Sequence, residues 1–385
     1  MNSKIFFYTL ILALLATACV SEFKANLPSN SEQLLVVDGT IMENTTVTFY
    51  LSKSFSINST NIPPEVTNID AKVTIIGSNG YESAPATNQG KGAYSINVGD
   101  LDDNVEYGIK IEYDGNTYQS ALAKPVSTPD IDSISWVQPE KFGAVSFRVS
   151  THDNTGEAKF FLWSYTENWE ITANYEVSTF YNPATDTFYN VAPAPYYYCW
   201  KSNASHEFII GSTESLSANS IINKELYNCL PEDYRFSYLY SVTVHQQAIS
   251  KAAFEYYQNK IVINNEMGGL FTPQPSEVAG NITCLTDPSK KVIGYVEAVK
   301  NTTQKRIFVE SYQISHSGVS DCTTITTGDV LEMCGSFLKA YQEGFRLIDL
   351  DIDGKPADWA LMNCTECTAN GGSKNKPDFW PNDDQ

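Results

Sequence analysis

YGIKIEYDGNTYQS, residues 107–120, alternates apolar and polar side chains on both sides of Asp114-Gly115. Successive side chains of a strand point to opposite faces, and Asp-Gly is a favoured two-residue turn between paired strands. The stretch therefore predicts an antiparallel hairpin with one face buried. Toward the N-terminus the same period returns in QLLVVDGTI (33–41), TTVTFYLSKS (45–54), AKVTIIGSNG (71–80) and GAYSINV (92–98). So many short strands with no amphipathic helix between them predict a β-sandwich of immunoglobulin-like or transthyretin-like type over residues 33–124. The cysteines and tryptophan of a true immunoglobulin core are absent from it, so the likeness is one of architecture.

ALAKPVSTPDIDS, with Pro125 and Pro129, marks a linker at 125–132. Strand patterns resume in SISWVQ, AVSFRVSTHD and AKFFLWSYTENWEITANYEV, so residues 133–385 form a larger β-rich domain with one or two helices and disulfides. Trp163 and Trp169 stand an even number of residues apart, which on one strand gives them a shared, core-facing side. FYNPATDTFYNVAPAPYYYCW is broken by prolines and predicts long loops or an irregular sheet edge. In SVTVHQQAISKAAFEYYQNKIVINNEM a strand gives way at Ser250, a capping residue, to a helix with Ala252, Ala253, Tyr256, Ile261 and Ile263 on its apolar face. A further helix is expected near VLEMCGSFLKAYQEG. The mainly β fold class follows from this succession.

At the N-terminus, Lys4 precedes a 14-residue apolar run, IFFYTLILALLATA, that ends at Cys19. A bilayer span takes about 20 apolar residues, whereas a short run with a basic start and small-residue exit suits a signal peptide, here residues 1–18. Cys19 in that position is the expected lipidation site, and two or more acyl chains hold a protein stably to a membrane. Residues 19–32 are a polar tether. The net charge of −20, −21 once Lys4 is removed, argues against nucleic acid as a partner, since phosphate binding relies on basic patches. Seven cysteines follow Cys19, and export favours disulfides among them. Three bridges among the seven could be drawn in 105 ways, so no pairing is assigned, and Cys199, Cys229, Cys364 and Cys367 are the candidates.

The WSYTENWE segment, Cys199-Trp200, YSVTVHQQAISKAAFEYY, GGLFTPQPSEVAGNI, GYVEA followed by RIFVE, and the closing CTECTANGGSKNKPDFW occur in an order that resembles Bacteroidota lipoproteins catalogued as domain of unknown function 4249. The resemblance implies an outer-membrane lipoprotein, and such genes often lie beside those of TonB-dependent transporters. It implies no established activity and supplies no catalytic residues. Which face of the membrane the protein occupies is left open by VSEFKA, with its single Glu and single Lys.

Enzyme signatures are sparse. His152, His206, His245 and His316 lie far apart, and the HEFII around His206 lacks the zinc-protease spacing. Cys364-Thr-Glu-Cys367 has CxxC spacing but no second pair to complete a zinc site. DLDIDG places Asp349, Asp351 and Asp353 at alternate positions like a calcium loop, but Ala360 stands where a bidentate Glu is needed, and an alternating strand with Leu350 and Ile352 facing inward accounts for it better. No cofactor is expected. The consecutive Tyr196, Tyr197 and Tyr198, with Trp200, cannot all point inward and form a candidate platform for a carbohydrate, a peptide or a partner. Phe271, Pro273 and Pro275 give a second candidate contact, on a stiff loop. The expected role is a non-enzymatic envelope lipoprotein that captures ligand for, or assists, a TonB-dependent transporter. The alternatives are an envelope hydrolase acting on carbohydrate or peptide, and a structural or adhesive lipoprotein.

Overall fold

The computed structural model describes residues 33–55, 67–231, 234–266, 280–316 and 322–381. Seven strands open the fold: β1 (Leu35–Met42), β2 (Thr46–Lys53), β3 (Lys72–Gly77), β4 (Thr87–Gly90), β5 (Ala93–Asn97), β6 (Tyr107–Tyr113) and β7 (Asn116–Ser120). The turn joining β6 to β7 has positive φ at both Asp114 (51°) and Gly115 (70°), the geometry for which Asp-Gly is favoured. Next come β8 (Ile131–Val137), β9 (Val145–His152), β10 (Phe160–Thr172), β11 (Thr179–Asn182), β12 (Thr187–Asn190), β13 (Tyr198–Ala204), β14 (Ile209–Ser212), β15 (Ser220–Cys229) and β16 (Leu239–Ile249). After the helix Lys251–Glu266 the chain adds β17 (Ile282–Cys284), β18 (Val292–Val299) and β19 (Thr303–Glu310), then β20 (Ile325–Thr326), β21 (Phe345–Leu350) and β22 (Pro356–Leu361). The protein is mainly β, as the alternation predicts.

Two sandwiches and a small third unit result. In the first, the sheet β18-β1-β2-β5-β4 faces the sheet β17-β7-β6-β3. Ile41, Phe49 and Tyr94 from one meet Ile75, Ile109 and Ile111 from the other in a single apolar core. In the second, β15-β9-β8 faces β13-β10-β16-β19, to which β14 is attached through β10. Phe161, Trp163, Trp169 and Ile171 of β10 share the inward face with Val242 and Val244 of β16 and pack on Phe147 of β9. The shared side expected for the two tryptophans is thus observed. The third unit packs Val330, Ala340, Leu347 and Trp359 around β20-β22-β21.

Three expectations need correction. Residues 33–124 do not complete their own sandwich, because β18 pairs in parallel with β1 and β17 pairs with β7. Both strands come from the segment assigned to the second domain. Their entry depends on glycine: a Cβ on Gly294 (φ 138°) would overlap the Val37 carbonyl oxygen, and one on Gly280 would overlap that of Gly294. Residues 125–132 are not a loose linker, because β8 already begins at Ile131, and Asn301 grips Thr128. Asn301 Oδ1 accepts from the Thr128 N–H (2.9 Å), its Nδ2 donates to the Thr128 carbonyl (2.9 Å), and its own carbonyl accepts from Thr128 Oγ1 (2.6 Å). Third, TFYNPATDTFYN is the regular hairpin β11–β12, held because Phe188 packs against the core of the third unit and Tyr181 lies 6.0 Å from the Tyr341 ring.

The Ser250 cap is present, its Oγ accepting from the Ala253 N–H (3.1 Å). Ala253 and Tyr256 are buried, Ile261 and Ile263 half-buried, and Ala252 is exposed against expectation. VLEMCGSFLKAYQEG forms two helices, Thr327–Cys334 and Phe337–Gln342, because Gly335 turns left-handed and Ser336 caps the next helix by accepting from Lys339 N–H.

Candidate functional site

The outward face of β13-β10-β16-β19 carries rows of polar side chains. Strand alternation and register lay it out in rows. Phe160 stands beside Ile249, Ser164 beside His245 and Gln304, Thr166 beside Thr243 and Arg306, and Asn168 beside Ser241 and Phe308. At the far end Glu170 stands beside Trp200 and Thr172 beside Tyr198.

Two structures cover parts of this face. The helix Lys251–Glu266 covers its apolar end, where Phe160, Ile249 and Ala253 form a small core with Leu162, Phe254 and Tyr295 around it. The C-terminal tail covers the middle. Its base is fixed by the Cys199–Cys367 disulfide, and Ser373 exchanges both backbone hydrogen bonds with Trp200 (2.8 Å each). At its end the Arg306 guanidinium lies 3.3 Å from the centre of the Phe379 ring, and Trp380 meets Phe308 edge-on at 5.7 Å. Asn168, Ser241 and Thr243 are buried as a result.

Between helix and tail a cleft of about 270 Å³ is open. Ser164, His245 and Gln247 contribute to its floor, Ser205, His206, Glu207 and Phe208 line it from the β13–β14 loop, and Thr302 from the β18–β19 turn. Tyr165 fixes the loop, its N–H donating to Ser205 Oγ (3.0 Å) and its carbonyl accepting from Ser205 N–H (2.9 Å). Phe208 is held against Tyr257 of the helix at 4.9 Å. Burial, reinforced by the nearby Arg306 charge, lowers the His245 pKa, so its imidazole is neutral near pH 7. The arrangement offers hydroxyl, amide and neutral imidazole groups beside aromatic carbon, a chemistry suited to holding a small polar ligand.

On the inward face of the same sheet lies a buried carboxylate. Glu167, only 1% exposed, accepts from Arg235 Nη1 (2.7 Å) and Tyr240 Oη (2.5 Å) on one oxygen and from Asn203 Nδ2 (2.9 Å) on the other. Tyr227 and Tyr240 share a 2.6 Å hydrogen bond, and burial raises both phenol pKa values well above the ordinary value. Tyr165, stacked on Tyr227 at 3.8 Å, is pushed up to about 12 chiefly by burial. These groups brace the core.

Of the residues singled out from sequence, Tyr198 is exposed (52%), while Tyr196, Tyr197 and Trp200 are half-buried. Tyr196 lies under Lys374 of the tail, and Tyr197 meets Tyr198 edge-on at 4.7 Å. Three of the four disulfide candidates are bonded: Cys199 to Cys367, and Cys364 to Cys322. Cys229 stands outside both bridges, and Cys322, not among the candidates, takes the place expected for it. The two CxxC cysteines thus hold different segments. The calcium reading is not supported: Asp351 Oδ1 accepts from the N–H groups of Asp353 and Lys355, Asp349 accepts from Leu350 N–H, and Asp353 faces Lys355 at 3.7 Å. Among the described residues no three metal-ligating side chains converge. Ile352, expected to face inward, is fully exposed at the turn. Cys19, Phe271, Pro273 and Pro275 lie outside the described residues. Asn281 grips β18 through both the N–H (2.9 Å) and the carbonyl (2.7 Å) of Val296.

The cleft residues His206, Glu207, His245 and Gln247 were not candidates as a group. Parity along β16 puts His245 and Gln247 on one face, but their meeting with the β13–β14 loop requires the strand order.

Residues 20–305 match the family model described as domain of unknown function (DUF4249). No curated protein matches the chain. Among solved structures, trypsin-activated alpha-2-macroglobulin from Escherichia coli aligns at 10% identity over 57% of this chain, with a TM-score of 0.18. This chain spans 15% of the length of that one, and the likeness carries no argument.

Proposed function

The chain belongs to the DUF4249 family, and from that premise we propose that it is a non-enzymatic Bacteroidota outer-membrane lipoprotein that captures a small polar ligand for a TonB-dependent transporter. The observation that carries this reading is the cleft between helix and tail, lined by Ser164, Ser205, His206, His245, Gln247 and Phe208. Hydroxyl, amide and imidazole groups can satisfy the hydroxyls of a carbohydrate or the amides of a peptide, while the Phe208 ring offers an apolar face. Cys19, acylated, would hold the protein at the membrane, with residues 19–32 as its tether. The acidic chain keeps such a protein soluble beside the membrane and disfavours nucleic acid.

The test is gentle detergent co-purification of the tagged, lipidated chain, followed by titration of neutral oligosaccharides and short peptides against the purified protein. A stoichiometric barrel partner is expected, with ligand affinity that falls at least about tenfold in Phe208→Ala and His245→Ala, a loss of about 1.4 kcal/mol. A protein recovered alone, whose deletion leaves nutrient uptake unchanged, would overturn the transporter role. Ligand binding unaffected by either substitution would overturn the cleft.

A further inference from the structure

The C-terminal tail differs from an ordinary terminal segment in how it is held. It pivots at Gly371-Gly372, where Gly371 has φ 78° and a Cβ on Gly372 would crowd the Cys199 side chain. Past that pivot it has two points of strong attachment. One is the backbone exchange of Ser373 with Trp200 at the edge of β13, which is how an added strand binds a sheet. The other is the aromatic pair Phe379-Trp380 on Arg306 and Phe308. Between these points Lys374, Asn375 and Asp378 are exposed. Trp380 is buried, 5% exposed, so the second attachment is a filled site rather than a surface touch.

The surface beneath fits the tail incompletely. Ser241 is fully buried, yet its Oγ finds no hydrogen-bond partner among the described residues, and neither does Trp200 Nε1. A buried polar group left without a partner is costly, which weakens the covered state. Arg306 is partly stripped of water, and its pKa is lowered by that burial. Lys374 Nζ adds a further contact, 4.7 Å from the centre of the Tyr196 ring.

We propose that this surface is a docking site for an extended peptide segment of a partner protein carrying two adjacent aromatic residues, which the chain's own tail occupies at rest. The partner segment pairs with the β13 edge at Trp200 and places its aromatic rings on Arg306 and Phe308. The tail, tethered beside the site by Cys367, competes at an effective concentration on the order of millimolar. A free segment therefore binds the intact chain weakly until the tail is released. The cleft reading is independent of this one, since the docking site lies beyond the tail's edge of the cleft.

The experiment uses a synthetic peptide of residues 373–381, SKNKPDFWP, titrated by fluorescence anisotropy against the full chain and against a chain ending at Gly372. The shortened chain, with its circular dichroism and both disulfides intact, is expected to bind the peptide, and the full chain at least about tenfold more weakly. A peptide with both aromatic residues replaced by alanine is expected not to bind. No binding to a folded shortened chain, or equal binding to both chains, overturns the proposal. So does an alanine-substituted peptide that binds as well as the native one. If the shortened chain does not fold, the full-length Phe379→Ala/Trp380→Ala chain takes its place. Failure of both to fold makes the tail a structural element and overturns the exchange. Ligand capture by the cleft is measured separately with the oligosaccharides and peptides above.

Discussion

The two sandwiches share an architecture and differ in what they enclose. The first has a core of aliphatic and aromatic side chains drawn from both sheets, with Ile41, Phe49, Ile75 and Ile109 at or near zero exposure. The second sets the Glu167 carboxylate among its aromatic residues and covers its outward face with a helix and a disulfide-anchored tail. Non-directional burial is enough to hold the first together. In the second, a buried charge has to be matched by donors in fixed positions, which ties Arg235, Tyr240 and Asn203 to one arrangement. The polar chemistry and the coverings fall on the same unit, so the specialised surface belongs to the second sandwich, with the first as its support.

That contrast can be broken at the first unit's weakest dependence, the late arrival of β18. Gly294→Val is expected to cost about 4 kcal/mol or more, because the side chain meets the Val37 carbonyl and the β1–β18 pair cannot close. A wild-type thermal melt would mean that the first sandwich stands without β18. At the second unit, Glu167→Ala is expected to cost about 3–5 kcal/mol in urea unfolding, since the partly buried Arg235 loses its carboxylate and Tyr240 and Asn203 lose their acceptor. Adding Arg235→Met should recover part of that loss. If it recovers none, the network is not what distinguishes this core. Cys199→Ser with Cys367→Ser should cost about 2–5 kcal/mol under oxidising conditions, the range for a lost native disulfide.

Two smaller effects test the junction of the sandwiches, where the head of the helix Lys251–Glu266 meets β18. Ser250→Ala removes the helix cap and is expected to lower stability by about 1 kcal/mol. Glu297 of β18 accepts from Ser250 Oγ at 2.8 Å through one oxygen, while the other finds no partner among the described residues. Burial raises its pKa above the ordinary carboxyl value, the Ser250 hydrogen bonds only partly opposing this. The folded state therefore holds that proton more tightly than the unfolded state, and stability falls as pH rises from the ordinary carboxyl value through the raised one. Glu297→Gln should raise the melting temperature at pH 8 and leave it nearly unchanged near pH 4. A gain of equal size at both pH values would remove the carboxylate from the explanation.

The hairpin at Asp114-Gly115, strands β1 to β3 and β5 to β7, the Ser250 cap and the shared face of Trp163 and Trp169 were all legible because each depends on neighbours a few residues apart. The cleft was not. His206 and His245 are 39 positions apart, and they line one cleft only because β10 lies between β13 and β16. The tail was legible as a motif but not as a cover: CTECTANGGSKNKPDFW announces cysteines, glycines and aromatic residues, while Phe308 and Arg306, which receive it, read as ordinary strand positions.

The alternation of side chains determined by itself that this protein is built of β-strands and, within strands such as β6 and β10, which side chains share a face, because strand period and turn chemistry are properties of the local backbone. Tertiary structure alone decided that β17 and β18 return to the first sandwich, that Cys364 and Cys367 bond to different partners, and that the tail lies across β13 to β19. Those outcomes join residues far apart in the chain, and strand order, edge pairing and disulfide choice depend on which surfaces remain open once the sheets have formed.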